Sequence, residues 1–221
     1  MSAARAVLFD LDGTLLDSAP DLYEALRLQC AEEGVPAPDY PLVRAVVSRG
    51  ARAVLRCGYR QLDEAALLDR LPRFLALYEQ CMGSGTRPFD GIEALLARCE
   101  AARRPWGIVT NKAGSLTEGL LARIGWQGRA TAVVAGDTLS VKKPDPAPVR
   151  LACEQAGVEP TQTLFVGDDV RDIQAGRAAG LITVAVRWGY LDGGDPQQWG
   201  ADHVIDHPAE LAVLLDLPVP A

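Results

Sequence analysis

The sequence is poor in the residues that bind soft metals or form covalent cross-links. Only two histidines occur among the 221 residues, and both lie near the C-terminus. The five cysteines are scattered, odd in number and never arranged as a Cys-x-x-Cys pair. We therefore expect neither a zinc site nor a disulfide framework, and we predict reduced, buried thiols in a cytoplasmic protein.

Long apolar runs and an excess of positive charge are also missing. No apolar run reaches the roughly 18 residues that a membrane span requires, and no signal-peptide pattern precedes the first apolar run. Lys and Arg number 22 against 29 Asp and Glu, which gives a net charge of −7. Because binding to a phosphate backbone needs a basic face, we expect no nucleic acid as a partner. Because no apolar run is long enough to span a bilayer, we also expect no membrane as a partner.

What the sequence does have is an alternation of short apolar runs with helical patterns. Continuous apolar runs are typical of parallel strands that are covered on both faces. The predicted strands are 6–9, 106–110, 131–136, 163–167, 182–186 and 202–206. The alternation predicts an α/β fold with a doubly wound parallel sheet.

One interval breaks this alternation. Residues 18–87 contain no convincing strand and show three helical patterns, at 21–34, 40–58 and 63–85. Stretches rich in glycine and proline bracket the interval, as is typical of hinges. We predict a helical cap over 18–87, inserted into an α/β core that comprises 1–17 and 88–221.

Polar residues follow several of the predicted strands. Open α/β sheets bind ligands at the carboxyl ends of their strands, so these residues are expected to converge at one edge. They are Asp10 and Asp12 after the first strand, Thr110 and Asn111 after the second, Asp168, Asp169 and Asp172 after the fourth, and Lys143 in the loop "SVKKPDP".

Side chains at positions i and i+2 of a strand point the same way, so Asp10 and Asp12 are expected to share a site. Together with Asp168 they would repel one another unless a cation compensates their charge. Oxygen ligands without His or Cys suit Mg²⁺. One carboxylate could then attack phosphorus and the other could move protons, while Lys143, Thr110 and Asn111 would bind phosphoryl oxygens.

Each of these signals also has a purely structural explanation. An Asp-x-Asp pair is commonly a turn or helix-entry device, Thr110–Asn111 is a common helix cap, and Lys143 would ordinarily be a solvated lysine. The acids of "GDDVRD" would suit a helix N-terminus. Their occurrence together, in this order and each at a strand end, favours chemistry.

These residues resemble the haloacid dehalogenase superfamily of phosphatases over nearly the whole chain. "DLDGT", "VTN", "KKPDP" and "GDDVRD" resemble its four motifs, and the helical interval lies where that family has its C1-type cap. The resemblance implies that Asp10 is the nucleophile and Asp12 the general acid and base. It also implies Mg²⁺ held by the Asp10 side chain, the Asp12 backbone carbonyl and Asp168, with Asp169 or Asp172 acting further out or through water.

Within the superfamily the chain is similar to phosphoglycolate phosphatases, and several stretches resemble the N-acetylmuramic acid 6-phosphate phosphatases of peptidoglycan recycling more closely. These stretches include "SRGARAVL", "FVGDDVRDIQAGRAAG" and "AVRWGY". The resemblance implies hydrolysis of N-acetylmuramic acid 6-phosphate to N-acetylmuramate and phosphate, with 2-phosphoglycolate as the alternative substrate.

Substrate choice is expected to depend on the cap. Arg49, Gly50 and Arg52 are predicted to lie at a helix turn that faces the core site, where an arginine would bind a substrate carboxylate. Both substrates carry one, so this does not decide between them, and a solvated surface arginine is the alternative interpretation.

A different class of protein stays open on the residues alone. A receiver or binding protein that accepts phosphate on Asp without turnover also gathers acids, a Thr and a Lys on a parallel sheet. The cap and the intact set of acids favour a hydrolase that acts on a small phosphorylated sugar or hydroxy acid. We expect a monomer or a homodimer.

Overall fold

A six-stranded parallel sheet forms the centre of the molecule. The computed structural model describes residues 4–218. The strands are β1 (Ala6–Phe9), β4 (Trp106–Val109), β5 (Ala132–Val134), β6 (Thr163–Gly167), β7 (Ile182–Val186) and β8 (His203–Ile205). Their order in the sheet is β5-β4-β1-β6-β7-β8. The predicted α/β fold is confirmed, and each predicted strand is present with ends shifted by at most two residues.

Helices cover both faces of this sheet, which explains why its strands are apolar throughout. The helices are α5 (Ile92–Ala101), α6 (Gly114–Arg123), α7 (Ala147–Ala156), α8 (Val170–Ala179) and α9 (Ala209–Leu214). Along β1, Val7 and Phe9 pack into one apolar cluster with Leu96 of α5, whereas Leu8 packs into a second cluster with Val149 of α7. The alternation along the strand therefore supplies two separate cores.

Between β1 and β4 the chain forms a bundle of helices. It contains α1 (Ala19–Glu32), α2 (Tyr40–Arg44), α3 (Ala51–Gly58) and α4 (Glu64–Cys81), with a single 3-10 turn at Val47–Arg49. The buried side chains of Leu26, Leu55 and Phe74 belong to its apolar interior. We call residues 18–87 the helical insertion; its treatment as a separate cap domain stays a prediction.

The helical pattern predicted over 40–58 is divided in the structure. Gly50 has φ 86° and ψ 177°, a conformation that interrupts the helix between the 3-10 turn and α3. Glycine adopts this region at little cost, whereas other residues do not, so the break is placed at this position. It leaves the segment Val46–Gly50 as a loop rather than a helix face.

Two short strands join the helical insertion to the sheet. Strand β2 (Leu16–Asp17) pairs antiparallel with β3 (Arg87–Pro88), so the chain enters and leaves the insertion through one ribbon. The Tyr190 hydroxyl lies beside this ribbon. It accepts hydrogen bonds from the backbone N–H groups of Ser18 and Ala19 and donates one to Asp17. The phenol therefore caps the start of α1.

The structure also shows the state of the cysteines and the length of the helices, which concern the predictions of buried thiols and of no membrane span. Cys30, Cys99 and Cys153 are buried as expected, whereas Cys57 and Cys81 are half-buried; all five are free thiols. Among residues 4–218, none of the helices combines the length and the apolar character that a membrane crossing demands.

Candidate active site

A cavity of about 400 Å³ lies between the carboxyl ends of the strands and the helical insertion. The core supplies the polar residues predicted from the strand ends, and the insertion supplies a largely apolar wall. Asp10, Asp12, Thr110, Asn111, Lys143, Asp169 and Asp172 all line the cavity, as do Arg49, Gly50 and Arg52. The structure thus gathers around one cavity residues that are far apart in the sequence.

Three buried carboxylates form the centre of the site. Asp10, Asp168 and Asp172 each place one carboxylate oxygen within 4.8 Å of the others. The ammonium of Lys143 lies 2.7 Å from Asp10 and 2.8 Å from Asp172, and it donates to the Val109 carbonyl at 2.6 Å. We call Asp10, Asp168 and Asp172 the acidic cluster.

The charges of the acidic cluster are only partly compensated. Burial raises the pKa of Asp10 and raises that of Asp172 to about 7, although Lys143 lowers both. Burial and the neighbouring charges of Asp10 and Asp172 raise the pKa of Asp168 well above its usual value. Burial lowers the pKa of Lys143, but the two carboxylates raise it more, so this side chain stays charged.

The donor set fits a hard divalent cation. Three buried carboxylates facing one ammonium leave an excess of negative charge, and their oxygens are the ligands that Mg²⁺ prefers. Glycines give the cluster its room. A Cβ on Gly13 would lie 2.2 Å from Asp168 Oδ2, and one on Gly167 would lie 2.3 Å from Asp172. Larger residues at these positions would push the carboxylates apart.

Asp168 is held by three hydrogen bonds from different parts of the chain. Its carboxylate accepts from Thr14 Oγ1 at 3.1 Å, from Ser48 Oγ at 3.2 Å and from the Tyr190 backbone N–H at 2.8 Å. Thr14 and Tyr190 belong to the core, whereas Ser48 comes from the loop before Gly50 in the insertion. The acidic cluster and the insertion are therefore in direct contact.

Asp12 lies outside the acidic cluster and has a cation of its own. Lys112 Nζ lies 3.2 Å from each of its carboxylate oxygens and 2.8 Å from the Tyr78 hydroxyl. Ser18 Oγ also donates to Asp12. Burial lowers the pKa of Lys112, yet Asp12 and Tyr78 raise it above its ordinary value overall. The predicted nucleophile and the predicted acid–base residue are thus each paired with a different lysine.

Asp169, one of the predicted metal ligands, does not belong to the group of three. It is the N-cap of α8, and its carboxylate accepts hydrogen bonds from the backbone N–H, Nε and Nη2 of Arg171 at 2.7–2.8 Å. Burial raises its pKa, but the Arg171 hydrogen bonds and charge lower it more, so the net pKa is low. Asp169 therefore already has Arg171 as its cation, whereas Asp168 and Asp172 of the same motif belong to the acidic cluster.

Thr110 and Asn111 organise the neighbouring loops. The Thr110 hydroxyl accepts from the Lys112 backbone N–H at 3.2 Å. The Asn111 amide donates to the Lys143 carbonyl and accepts from the Lys143 N–H, both at 3.0 Å. This reciprocal pair fixes the loop that carries Lys143. Binding of phosphoryl oxygens by Thr110 and Asn111 stays a prediction.

The residues predicted to select the substrate lie at the rim of the cavity. Arg49 is more than half exposed and pairs with Asp192 of the core, with its Nε 2.6 Å from the carboxylate. Arg52 is more exposed still and pairs with Glu64 inside the insertion at 3.1 Å. Arg49 therefore bridges the insertion and the core, whereas Arg52 does not, and a contact of either with substrate stays a prediction.

Several side chains of the site were not among the predicted residues, and three of them show where the prediction fell short. Lys112, Tyr78 and Ser48 each contact a predicted acid or its partner. Lys112 follows "VTN" directly, so its place after a strand was a usable signal. Tyr78 and Ser48 carried no such signal, because which face of a helical insertion meets a distant sheet is decided by tertiary packing.

The comparisons with known proteins agree with this geometry. Residues 7–186 match the family model for haloacid dehalogenase-like hydrolases. The chain belongs to the haloacid dehalogenase-like hydrolase family. Membership favours a hydrolase over a receiver or a binding protein without turnover.

Several relatives are similar over almost the full length. The chain is 46% identical over 212 residues to a phosphoglycolate phosphatase of Xanthomonas campestris pv. campestris, covering 96% of each protein. It is 45% identical over 214 residues to an N-acetylmuramic acid 6-phosphate phosphatase of Pseudomonas aeruginosa, covering 96% of this chain and 95% of the relative. Both relatives are named as phosphatases of small phosphorylated acids.

A solved structure shows the same architecture. The crystal structure of a predicted phosphoglycolate phosphatase from Haemophilus somnus superimposes with a TM-score of 0.86 at 26% identity. The match covers 97% of this chain and 99% of that one. The helical insertion is therefore included in the shared fold.

Proposed function

We propose that this protein is a magnesium-dependent phosphomonoesterase. The observation that carries the proposal is the acidic cluster, with Lys143 against two of its carboxylates and with Asp12 two residues from Asp10. Asp10, Asp168 and Asp172 offer carboxylate oxygens to Mg²⁺, and the resemblance adds the Asp12 backbone carbonyl. When bound, Mg²⁺ compensates the carboxylate charges and withdraws negative charge from phosphoryl oxygens.

The reaction has two half-reactions. First, a carboxylate oxygen of Asp10 attacks phosphorus and the bond from phosphorus to the leaving oxygen breaks, while Asp12 gives its proton to that oxygen. Second, Asp12 takes a proton from water, the water oxygen bonds to phosphorus, and the bond to Asp10 breaks. The products are an alcohol and phosphate, and both carboxylates return to their starting state.

The positions of the other charged residues suit these steps. Lys143 contacts Asp10 directly, so its ammonium holds the nucleophile in place and lies where negative charge develops on phosphoryl oxygens. Asn111 fixes the backbone of Lys143. The insertion covers the cavity and excludes bulk water from the phosphorylated Asp10.

The preferred substrate of this proposal is N-acetylmuramic acid 6-phosphate. A cavity of about 400 Å³ lies within the range of pockets that hold ligands of drug size. Its wall contains Leu22, Leu71, Leu75 and the Tyr78 ring, which a sugar with an N-acetyl and a lactyl group would contact. A two-carbon acid has no apolar group to pack against this wall.

The second candidate substrate is 2-phosphoglycolate. A relative 46% identical to this chain is named as a phosphoglycolate phosphatase. Arg49 at the rim would suit its carboxylate as well as that of the larger substrate.

A substrate panel tests both proposals. Phosphate release with Mg²⁺ is measured for N-acetylmuramic acid 6-phosphate, N-acetylglucosamine 6-phosphate, 2-phosphoglycolate and glucose 6-phosphate. We expect kcat/KM for the muramic ester to exceed that for the others by about 100-fold, equivalent to about 2.7 kcal/mol. The two amino sugars differ only by the lactyl group, so their ratio isolates recognition of that group.

The controls separate mechanism from substrate choice. Asp10→Asn and removal of Mg²⁺ with a chelator should each abolish release from every ester. A preference for 2-phosphoglycolate would overturn the muramic assignment, and release by Asp10→Asn at the wild-type rate would overturn the mechanism. A cytoplasmic location and a monomeric or homodimeric state stay predictions, the latter open to size-exclusion chromatography.

A further inference from the structure

Lys112 is a buried cation that the mechanism above does not use. Its side chain is 7% exposed, although lysines ordinarily lie at the surface. The ammonium is equidistant, at 3.2 Å, from the two carboxylate oxygens of Asp12, so it bridges them. A bridging cation fixes the plane of a carboxylate, which a single hydrogen bond to one oxygen does not.

The backbone of Lys112 is fixed independently of Asp12. Its N–H donates to Thr110 Oγ1, and its carbonyl accepts from the Gly136 N–H at 2.7 Å. Gly136 permits this contact because it lacks a side chain: a Cβ there would lie 2.1 Å from the Asn111 carbonyl oxygen. Lys112 therefore approaches Asp12 from a rigid part of the core.

The other end of Lys112 is held by the helical insertion. Tyr78 belongs to α4, and its hydroxyl lies 2.8 Å from Nζ. The Tyr78 ring also lies close, with its centroid 4.6 Å from Nζ. Asp12 is thus aligned by a core lysine whose ammonium is fixed by an insertion tyrosine.

We propose that Lys112 is a positioning residue that aims the Asp12 carboxyl group at the reacting oxygens, with Tyr78 holding its ammonium in place. The inference rests on the proposed phosphatase activity. Asp12 must give a proton to the leaving oxygen in the first half-reaction and take one from water in the second. Lys112 itself touches neither the substrate nor phosphorus and transfers no proton.

Substrates with different leaving groups allow the two half-reactions to be measured separately. An alkoxide leaves slowly unless Asp12 protonates it, whereas p-nitrophenolate is stable enough to leave without a proton. Loss of Lys112 should therefore slow both half-reactions with a sugar ester, but only the second with p-nitrophenyl phosphate. In the latter case phosphorylated Asp10 accumulates.

The test compares wild type and Lys112→Met on two substrates, in the intact protein with Mg²⁺. The sugar or hydroxy-acid ester is whichever of N-acetylmuramic acid 6-phosphate and 2-phosphoglycolate the wild type hydrolyses faster. For that ester we expect kcat to fall about 100-fold with KM changed less than about threefold. For p-nitrophenyl phosphate we expect a burst of nitrophenol equal to the enzyme concentration, followed by slow turnover, and phosphoprotein after acid quenching.

Three further variants sharpen this test. Tyr78→Phe keeps the ring and removes the hydroxyl, so we expect the same pattern with a loss of about tenfold. Lys112→Arg keeps the charge and can bridge both oxygens of Asp12, so it should recover part of kcat. Arg27→Met is the control: it removes a cation that is away from the cavity and pairs with Glu24 at the surface, and kcat should stay within about threefold of the wild type.

Distinct outcomes overturn the inference. One such outcome is an unchanged kcat for Lys112→Met and Tyr78→Phe. Another is an equal loss of activity on both substrates without a burst or phosphoprotein, which is the result expected of a purely structural lysine. If the wild type itself released phosphate from none of the esters, the proposed function would fail instead.

Discussion

Single glycines decide whether the acidic cluster can form. Gly13 has φ 93°, and a Cβ there would lie 2.2 Å from Asp168 Oδ2. The position therefore requires both a left-handed backbone and the absence of a side chain. The same residue type at Gly34, after α1, has φ 66° with open space around it. The two positions share a positive φ and differ in the space that surrounds them.

This difference gives a prediction. Gly13→Ala should lower the free energy of unfolding by about 3 kcal/mol, because backbone strain adds to a clash inside the cluster. Gly34→Ala should cost only about 1 kcal/mol, the price of a left-handed alanine. Urea denaturation of both variants measures the difference, and equal losses would show that the clash with Asp168 does not exist.

The sequence allowed the acids to be placed at one edge of a sheet, because they follow strand ends and parallel strands share their carboxyl edge. Lys143 was placed there from its loop "SVKKPDP", which lies between the predicted strands 131–136 and 163–167. The sequence did not separate Asp169 from Asp172. Both lie at the start of α8, and only the capping geometry shows that Asp169 turns to Arg171 while Asp172 turns to Lys143. Local spacing cannot reveal which of two neighbouring carboxylates meets a lysine from a distant loop.

Elements are joined by specific buried bonds as well as by apolar packing. Asp21 in α1 is 2% exposed and accepts hydrogen bonds from the backbone N–H groups of Gly83, Gly85 and Thr86, and from the Thr86 hydroxyl. The start of the first insertion helix is thereby tied to the segment that leads out of the insertion. Asp63 caps α4 at the surface with a single bond to the Ala66 N–H.

These two aspartates provide a matched pair for stability. Asp21→Ala should lower the free energy of unfolding by about 3 kcal/mol or more, since it leaves two buried donors of Thr86 and two partly buried backbone donors without an acceptor. Asp63→Ala should cost about 1 kcal/mol, the usual value of an exposed N-cap. Chemical denaturation compares them, and a loss for Asp21→Ala no larger than that for Asp63→Ala would contradict this account of the junction.

At this scale the sequence predicted the strands better than the insertion. Apolar runs such as 163–167 and 182–186 coincide with β6 and β7, because burial on both faces leaves an unmistakable pattern. The pattern over 40–58 concealed a break at Gly50, because a glycine within a helical pattern is compatible with both continuation and interruption.

Across the whole molecule, the insertion and the core meet over the cavity through polar contacts. Arg171 Nη2 of the core donates to the Ser48 carbonyl at 2.7 Å, and Arg49 of the insertion pairs with Asp192. These contacts are accessible to water at their edges, so each adds little to stability. Their effect lies in holding the Val46–Gly50 loop over the cavity.

Arg49→Ala should therefore affect substrate binding more than folding. We expect KM to rise about tenfold while the melting temperature changes by less than about 4 °C, because an exposed ion pair contributes under about 1 kcal/mol. Arg73→Ala, which breaks an exposed pair with Glu32 within the insertion, serves as the control and should leave KM unchanged. A KM change shared by both variants would point to general loosening of the insertion instead.

Tyr190 connects the acidic cluster of the core with the start of the helical insertion. Its backbone N–H binds Asp168 in the acidic cluster, and its hydroxyl binds the backbone at the start of α1, where the insertion is attached. One residue thus contacts both the acidic cluster and the point where the insertion is attached. By thermodynamic reciprocity, a cation that binds more tightly when the insertion is in place must favour that placement by the same factor. Metal affinity and closure of the cavity are then two measurements of a single coupling.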